Sequence, residues 1–181
     1  MRYWPDDRRA RWIERDRRWA LSLHRASTQP LVLQLLVAVS RLGDGGPWVV
    51  VMLLLPLPLL GGINGSVAAL QMAAVGAVNL GLYLALKHHI GRRRPFVDCP
   101  GIRCCTRPLD SFSFPSGHTL HAVAFALILS HHYPALAVPL WIYAALVAAS
   151  RVVLGLHYPS DVLAGAWAGL ATATVLLVCW P

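Results

Sequence analysis

The charged positions of this 181-residue chain are confined to a few short stretches, and long apolar runs lie between them. From residue 111 to the C-terminus, Arg151 and Asp161 are the only charged side chains apart from histidines. A helical bilayer crossing takes about 20 predominantly apolar residues. The pattern predicts six membrane segments, at 28–43, 47–62, 66–86, 116–130, 135–149 and 162–180. The first is the weakest, because Gln34 and Arg41 interrupt it and Gly43-Asp44-Gly45-Gly46-Pro47 closes it as a turn. Pro56 and Pro58 predict a kink in the second. The fifth is short, and Gly165-x-x-x-Gly169 in the sixth permits close helix packing.

Residues 1–26 differ from everything after them. They hold eight arginines and four acids, with Trp4, Trp12 and Trp19 among them. Trp12, Trp19 and Leu23, at spacings of seven and four, share one helical face. This predicts an amphipathic helix in the membrane interface, with tryptophan at headgroup level and arginine toward anionic lipid. The fold class expected is therefore all-α: a polytopic membrane protein with six transmembrane helices and an N-terminal amphipathic interfacial helix. Its two parts are 1–26 and 27–181.

Composition supports that class. The chain is 56% hydrophobic and 13% charged, too apolar for an ordinary soluble domain. The net charge of +8 comes almost wholly from arginine, Lys87 being the only lysine. The basic residues fall in two blocks, the N-terminus and 87–107, and do not spread over a surface, which excludes a nucleic-acid partner. The charged N-terminus predicts no cleavable signal peptide. Its arginine excess places that end in the cytoplasm by the positive-inside rule. Three crossings then carry the 87–107 loop to the outer face, and two more return residues 150–161 there. A basic outer loop departs from the rule, and is easier to explain if its charges bind an anion.

Three polar clusters carry candidate chemistry. Lys87 and Arg92-Arg93-Arg94-Pro95 follow the third segment; lysine supplies a point charge and arginine a planar fork suited to phosphate oxygens. Phe114-Pro115-Ser116-Gly117-His118 opens the fourth segment. There Ser116 and Gly117 offer backbone N–H groups at a helix start that attracts anions. Ser150-Arg151-x5-His157-x3-Asp161 joins the fifth segment to the sixth. His157 precedes Tyr158-Pro159 and so lies in a turn. Ser160 is placed to cap the sixth segment. Asp161 is placed to accept from the His157 ring, as for an activated nucleophile or general base. Cationic donors, a helix start and two histidines suit phosphoryl transfer, which is largely positioning and electrostatics. Two His and one Asp could ligate zinc, but the five adjacent cations oppose a divalent ion, so no metal is assigned.

Lys87-x6-Arg94-Pro95, Pro115-Ser116-Gly117-His118 and Ser150-Arg151-x5-His157-x3-Asp161 resemble, in order and spacing, the three signatures of the type 2 phosphatidic acid phosphatase (PAP2) superfamily. The resemblance covers residues 79–170 and implies a metal-independent phosphatase without cofactor. It implies His157 as the nucleophile that becomes phosphohistidine, Asp161 as its partner and His118 as the general acid. Lys87, Arg94, Ser116, Gly117 and Arg151 correspond to its phosphate cradle. Together with the membrane segments, it implies a lipid phosphatase in the cell membrane with an outward-facing site. The substrate classes it suggests are undecaprenyl diphosphate, phosphatidylglycerophosphate and phosphatidate. A lipid phosphotransferase of the same fold and a non-catalytic lipid-binding or transport protein are the alternatives.

Outside the signatures, Arg92 and Arg93 are expected to touch headgroups or a second substrate phosphate. Cys99 can pair with Cys104 or Cys105 if their loop lies outside the cytoplasm. His88, His89, His121, His131 and His132 read as interfacial or packing residues, and Cys179 as packed. The partners expected are the lipid phosphate substrate and the bilayer, with no obligatory protein partner evident.

Overall fold

The structure, a computed structural model, describes residues 6–181, so Trp4 lies outside the described residues. Among these the chain is helical, with a single antiparallel backbone pairing between Arg93 and Phe112. In order the helices are α1 (Asp6–His24), α2 (Pro30–Leu42), α3 (Gly45–Leu54), α4 (Gly62–Ile90), the short α5 (Pro95–Asp98), α6 (Gly117–His132), α7 (Ala137–Val153) and α8 (Pro159–Cys179).

Helix α6 is the axis of the bundle. Its Ala122, Ala124, Ala126 and Ile128 are all buried. Lipid tails are as apolar as a leucine core, so helices in a bilayer gain by close contact, and small side chains allow it. The Gly165-x-x-x-Gly169 stretch of α8 does this against α6. A Cβ at Gly165 would stand 2.5 Å from the Ser116 carbonyl oxygen, and one at Gly169 would stand 2.3 Å from that of Leu120. On the other side Trp48 of α3 meets Phe125 edge-on at 5.0 Å between ring centres, with Met72 and Val75 of α4 and Val147 of α7 completing the core.

Three helices, α4, α8 and the stretch Pro134–Val153 that includes α7, are long and apolar enough to cross a membrane. The two segments expected at 28–43 and 47–62 are instead a pair of helices of 13 and 10 residues, bent by 56° at Gly43-Asp44. At 1.5 Å per residue neither reaches the roughly 30 Å of a hydrocarbon core alone. Together they are long and apolar enough for one broken crossing or a re-entrant loop. Helix α3 stops at Leu54, before Pro56 and Pro58.

The bundle has two unlike ends. At one end Tyr133 packs on Gly61 and Gly65, Gln71 Nε2 donates to the Trp180 carbonyl at 2.7 Å, and Gln71 Oε1 pairs with His132 at 2.7 Å. The other end holds α1, the 91–116 loop and the turn between α7 and α8. Here an expectation fails. The N-terminal helix and the 87–107 loop were expected on opposite faces, yet Arg92 Nη2 donates to Asp16 Oδ2 at 2.7 Å, and Ser160 N donates to Asp16 Oδ1 at 3.0 Å. His24 clamps the same junction: its Nε2 accepts from Arg103 N–H at 3.1 Å, and its Nδ1 donates to the Val153 carbonyl at 2.8 Å. Helix α2 starts at this end as well, where Leu36 packs with Val153, Leu154 and Leu156. The other end of α2 meets this end of the bundle as well, Ser40 through Arg151 and Asp44 through His118, so α1, α2 and the loop share it.

Candidate active site

Local structure delivers each cluster to the α1 end of the bundle. Helix α4 stops at Gly91, whose φ of 59° is left-handed, and the chain turns to present Arg92, Arg93 and Arg94. Ser116 is the N-cap of α6, and its N–H donates to the backbone oxygen of Asp161 at 3.0 Å. The second and third clusters are thereby joined directly. Gly117 lies so close to Tyr83 that a Cβ there would be 2.8 Å from the ring. Gly155, with φ of 77°, turns the chain where a Cβ would stand 2.4 Å from the Arg103 oxygen. His157 follows it. Helix α8 is capped by Tyr158 in a capping box with Asp161, not by Ser160; the Ser160 hydroxyl bonds Asp16 instead.

Arg94 is the centre of the cradle, 1% exposed. Its Nε donates to the Asp110 carbonyl at 3.0 Å and its Nη2 to Asp110 Oδ1 at 2.9 Å. Its Nη1 donates to the Leu156 carbonyl at 2.9 Å and lies 3.2 Å from His157 Nε2. Lys87 Nζ donates to Asp110 Oδ2 at 2.6 Å and to Tyr83 Oη at 2.8 Å. Arg151 Nη1 bonds the Ser40 hydroxyl, and its buried Nε finds no protein partner. The matched residues Lys87, Arg94, Ser116, His118, Arg151, His157 and Asp161 are all buried. Sequence spacing had already put them in one group.

His157 is 2% exposed. Guanidinium nitrogens only donate, so the contact with Arg94 makes Nε2 the acceptor and leaves the proton on Nδ1. Burial, and then the charges of Arg151, Arg94 and Lys87, push the His157 pKa well below the ordinary histidine value. The ring is neutral at pH 7. Asp161 Oδ2 stands 3.8 Å from Nδ1, beyond hydrogen-bond reach, and takes the Tyr158 N–H at 2.8 Å instead.

Several residues that sequence reasoning passed over complete the site. Asp44, at the α2–α3 break, accepts from His118 Nε2 at 2.7 Å. Asp110 bridges Lys87 and Arg94. Burial pushes its carboxyl up, but hydrogen bonds from Lys87 and Tyr83 and the charge of Arg94 outweigh this and hold it below the ordinary value. Arg92 departs from its expected role. It is not turned toward headgroups: Nη1 donates to Asp161 Oδ1 at 2.7 Å, Nη2 reaches Asp16, and the guanidinium stacks 3.9 Å over Tyr158. Arg93 is exposed, 4.0 Å from Asp98. The only hint of Asp44 and Asp110 in the sequence is that each is an acid isolated in a turn.

The cysteine pairing expected in this loop is not formed. Cys99 is buried and faces Tyr158 Oη at 3.4 Å, while Cys104 and Cys105 are free. Among the described residues, no three His, Cys, Asp or Glu side chains gather as a metal site.

Beside the cradle lies an apolar cavity of about 500 Å³, lined by Trp48, Met52, Met72, Leu80 and Phe125 and ending against Gly117 and His118. A polar, cationic floor thus opens onto a hydrocarbon-lined wall.

A buried cluster of cations and histidines at one end of an apolar helical bundle is the arrangement a membrane phosphatase requires. The chain belongs to the PAP2 superfamily, whose model matches residues 67–181. A protein of Escherichia coli strain K12 that carries the name undecaprenyl-diphosphatase is 30% identical over 165 residues, 83% of each chain. Phosphatidylglycerophosphatase B of Bacillus subtilis strain 168 is 40% identical over 72 residues, 34% of this chain and 36% of its own. Among solved structures, the transmembrane PAP2-type phosphatidylglycerolphosphate phosphatase of Bacillus subtilis superposes with a TM-score of 0.69 at 26% identity, covering 88% of this chain and 83% of its own. Aquifex aeolicus LpxE gives 0.73 at 25% identity, covering 83% and 87%.

Proposed function

We propose that this protein is an integral-membrane lipid phosphatase that hydrolyses phosphate or diphosphate monoesters of membrane lipids through a phosphohistidine. The observation that carries the lipid reading is the apolar cavity ending at His118: it gives an acyl or prenyl tail a place while the phosphate rests among Lys87, Arg94 and Arg151. Relatives named for undecaprenyl diphosphate, phosphatidylglycerophosphate and lipid A substrates support the same class. The membrane meant is the cell's inner membrane. The phosphatase domain is 27–181, with 1–26 as a helix at its surface.

In the proposed reaction Nε2 of His157 attacks phosphorus as the bond to the lipid oxygen breaks. Lys87, Arg94, Arg151 and the Gly117 N–H hold the phosphoryl oxygens, where charge-assisted hydrogen bonds are strongest, and the Ser116 N–H fixes the helix start by its bond to the Asp161 carbonyl. His118 gives the leaving oxygen its proton. Its Nε2 is committed to Asp44, so Nδ1 is the nitrogen that exchanges it. His118 then takes a proton from water, which attacks phosphorus and breaks the P–N bond, releasing inorganic phosphate. Asp161 and Arg92 hold the His157 turn in place.

Phosphate release by the purified protein from a panel of lipid phosphates and diphosphates tests this. Turnover of at least one lipid, well above that of a short water-soluble ester of the same headgroup, is expected. Equal rates on both would remove the lipid reading.

A further inference from the structure

We infer that α1 is a working part of the active site and that Asp16 is its positioning residue: through Arg92 and Ser160 it holds the turn that carries His157. The inference rests on the reading above, that His157 is the nucleophile of a phosphatase. Helix α1 lies outside residues 67–181, the stretch matched by the family model, and carries none of the three signatures.

Asp16, Ala20 and His24 are spaced four apart and so form one stripe along α1. All three are buried. His24 Nδ1 donates to the Val153 carbonyl at 2.8 Å, before His157 in the chain. Ala20 packs with Tyr158, the residue after His157, and with Cys99 and Ile102 of the loop. Asp16 accepts from the Ser160 N–H at 3.0 Å and from the Ser160 hydroxyl, beyond His157. One helix face therefore grips the turn on both sides of the nucleophile.

Of these contacts, that of Asp16 reaches furthest into the site. Ser160 stands in the first turn of α8, where a backbone N–H has no partner in its own helix. A negative charge is favoured at such an end. The capping box of Tyr158 and Asp161 satisfies part of it, and Asp16 supplies a further acceptor from a different helix. Asp16 also fixes Arg92. Nη1 of that guanidinium donates to Asp161 Oδ1 and Nη2 to Asp16 Oδ2, both at 2.7 Å, while its plane lies over the Tyr158 ring. A planar fork held by two carboxylates has little freedom to rotate. The other oxygen of Asp161 accepts from the Tyr158 N–H, the amide next to His157. The contacts thus run from Asp16 through Arg92 and Asp161 to the nucleophile's own turn. Without the Asp16 carboxylate, Arg92 Nη2 and the Ser160 N–H both lose their acceptor. The cradle cations do not belong to this chain of contacts: Lys87 and Arg94 are held by Asp110, and Arg151 by Ser40. Loss of Asp16 therefore disturbs the aim of His157 and leaves phosphate binding in place.

Asp16→Asn in the full chain, purified in detergent, tests this. The kcat for phosphate release should fall about tenfold, as a charge-assisted hydrogen bond gives way to a neutral one. KM and inhibition by inorganic phosphate should stay within about twofold of the parent. In an Arg92→Gln background the same change should cost far less than it does alone, because its main route to the turn is already cut. An unchanged kcat, a rise in KM alone, or full additivity with Arg92→Gln overturns the inference. Hydrogen exchange reads the same contacts without catalysis. In Asp16→Asn the amides of Tyr158, Ser160 and Asp161 should exchange several-fold faster, while those of α6 keep the parent rates. Unchanged exchange at the turn overturns the inference, as does faster exchange throughout the bundle, which would make Asp16 a residue of general stability. A parent protein without turnover removes the phosphatase reading, and the exchange result then decides by itself whether α1 holds the turn.

Discussion

His157 and His118 are both buried histidines beside a carboxylate, and their surroundings fit them for opposite tasks. His157 sits among three cations, accepts from Arg94 through Nε2, and has Asp161 at 3.8 Å. Its ring stays neutral, with the Nε2 lone pair facing the Arg94 guanidinium. His118 donates Nε2–H to Asp44 at 2.7 Å, so a carboxylate is in direct contact to stabilise the ring when it is protonated. The reaction needs a nucleophile and a proton donor, and the two rings differ in what their nitrogens meet: a guanidinium at His157 and a carboxylate at His118.

The strongest test of this contrast is His157→Ala. Removing the nucleophile should lower phosphate release by about 10⁴-fold or more, as in other sites that work through a covalent intermediate. The variant should elute and melt as the parent does in detergent. Near-normal turnover would end the assignment. His118→Asn should cost less, about 10²- to 10⁴-fold on a lipid phosphate. That loss should shrink on an aryl phosphate, whose leaving group needs no proton, whereas the His157→Ala loss should not. Equal losses on the two substrates would remove the acid role from His118.

A smaller effect is expected from Asp44→Asn. Replacing a charge-assisted hydrogen bond by a neutral one should lower kcat by about tenfold, since 1.4 kcal/mol corresponds to a factor of ten. KM should change little, because Asp44 does not belong to the cradle. A rise in KM with unchanged kcat would make Asp44 a binding residue. The mildest test is the pH profile. A histidine with a depressed pKa remains neutral as pH falls through the ordinary value of about 6.5. The acid limb of kcat/KM that reports His157 should therefore lie below that pH in free enzyme. A His157 limb at or above it would mean that the three cations do not act on the ring as described.

Much of this site was legible before any coordinates. The signature residues are of fixed type and spacing, and each is positioned by a local device readable in sequence: a glycine after α4, a serine cap on α6, a proline at the start of α8. The supporting acids were not legible. Asp44 lies 74 positions from His118, and Asp16 lies 76 from Arg92. No periodicity connects such pairs. Arg92 shows the limit most clearly. Read along the chain it is one of three consecutive arginines, yet the fold turns it inward to Asp161 and leaves Arg93 outside.

By itself, the sequence determined that this chain is a membrane helix bundle carrying the PAP2 signatures, because hydropathy over some twenty residues and the spacing of charged side chains are properties of the chain. Which helices are whole crossings, and which end the N-terminus joins, were decided by tertiary structure. Apolar length is the same whether a segment crosses alone or as half of a bent pair. Only the packing of α2 on α7 and the ion pair from Asp16 to Arg92 tell the two apart.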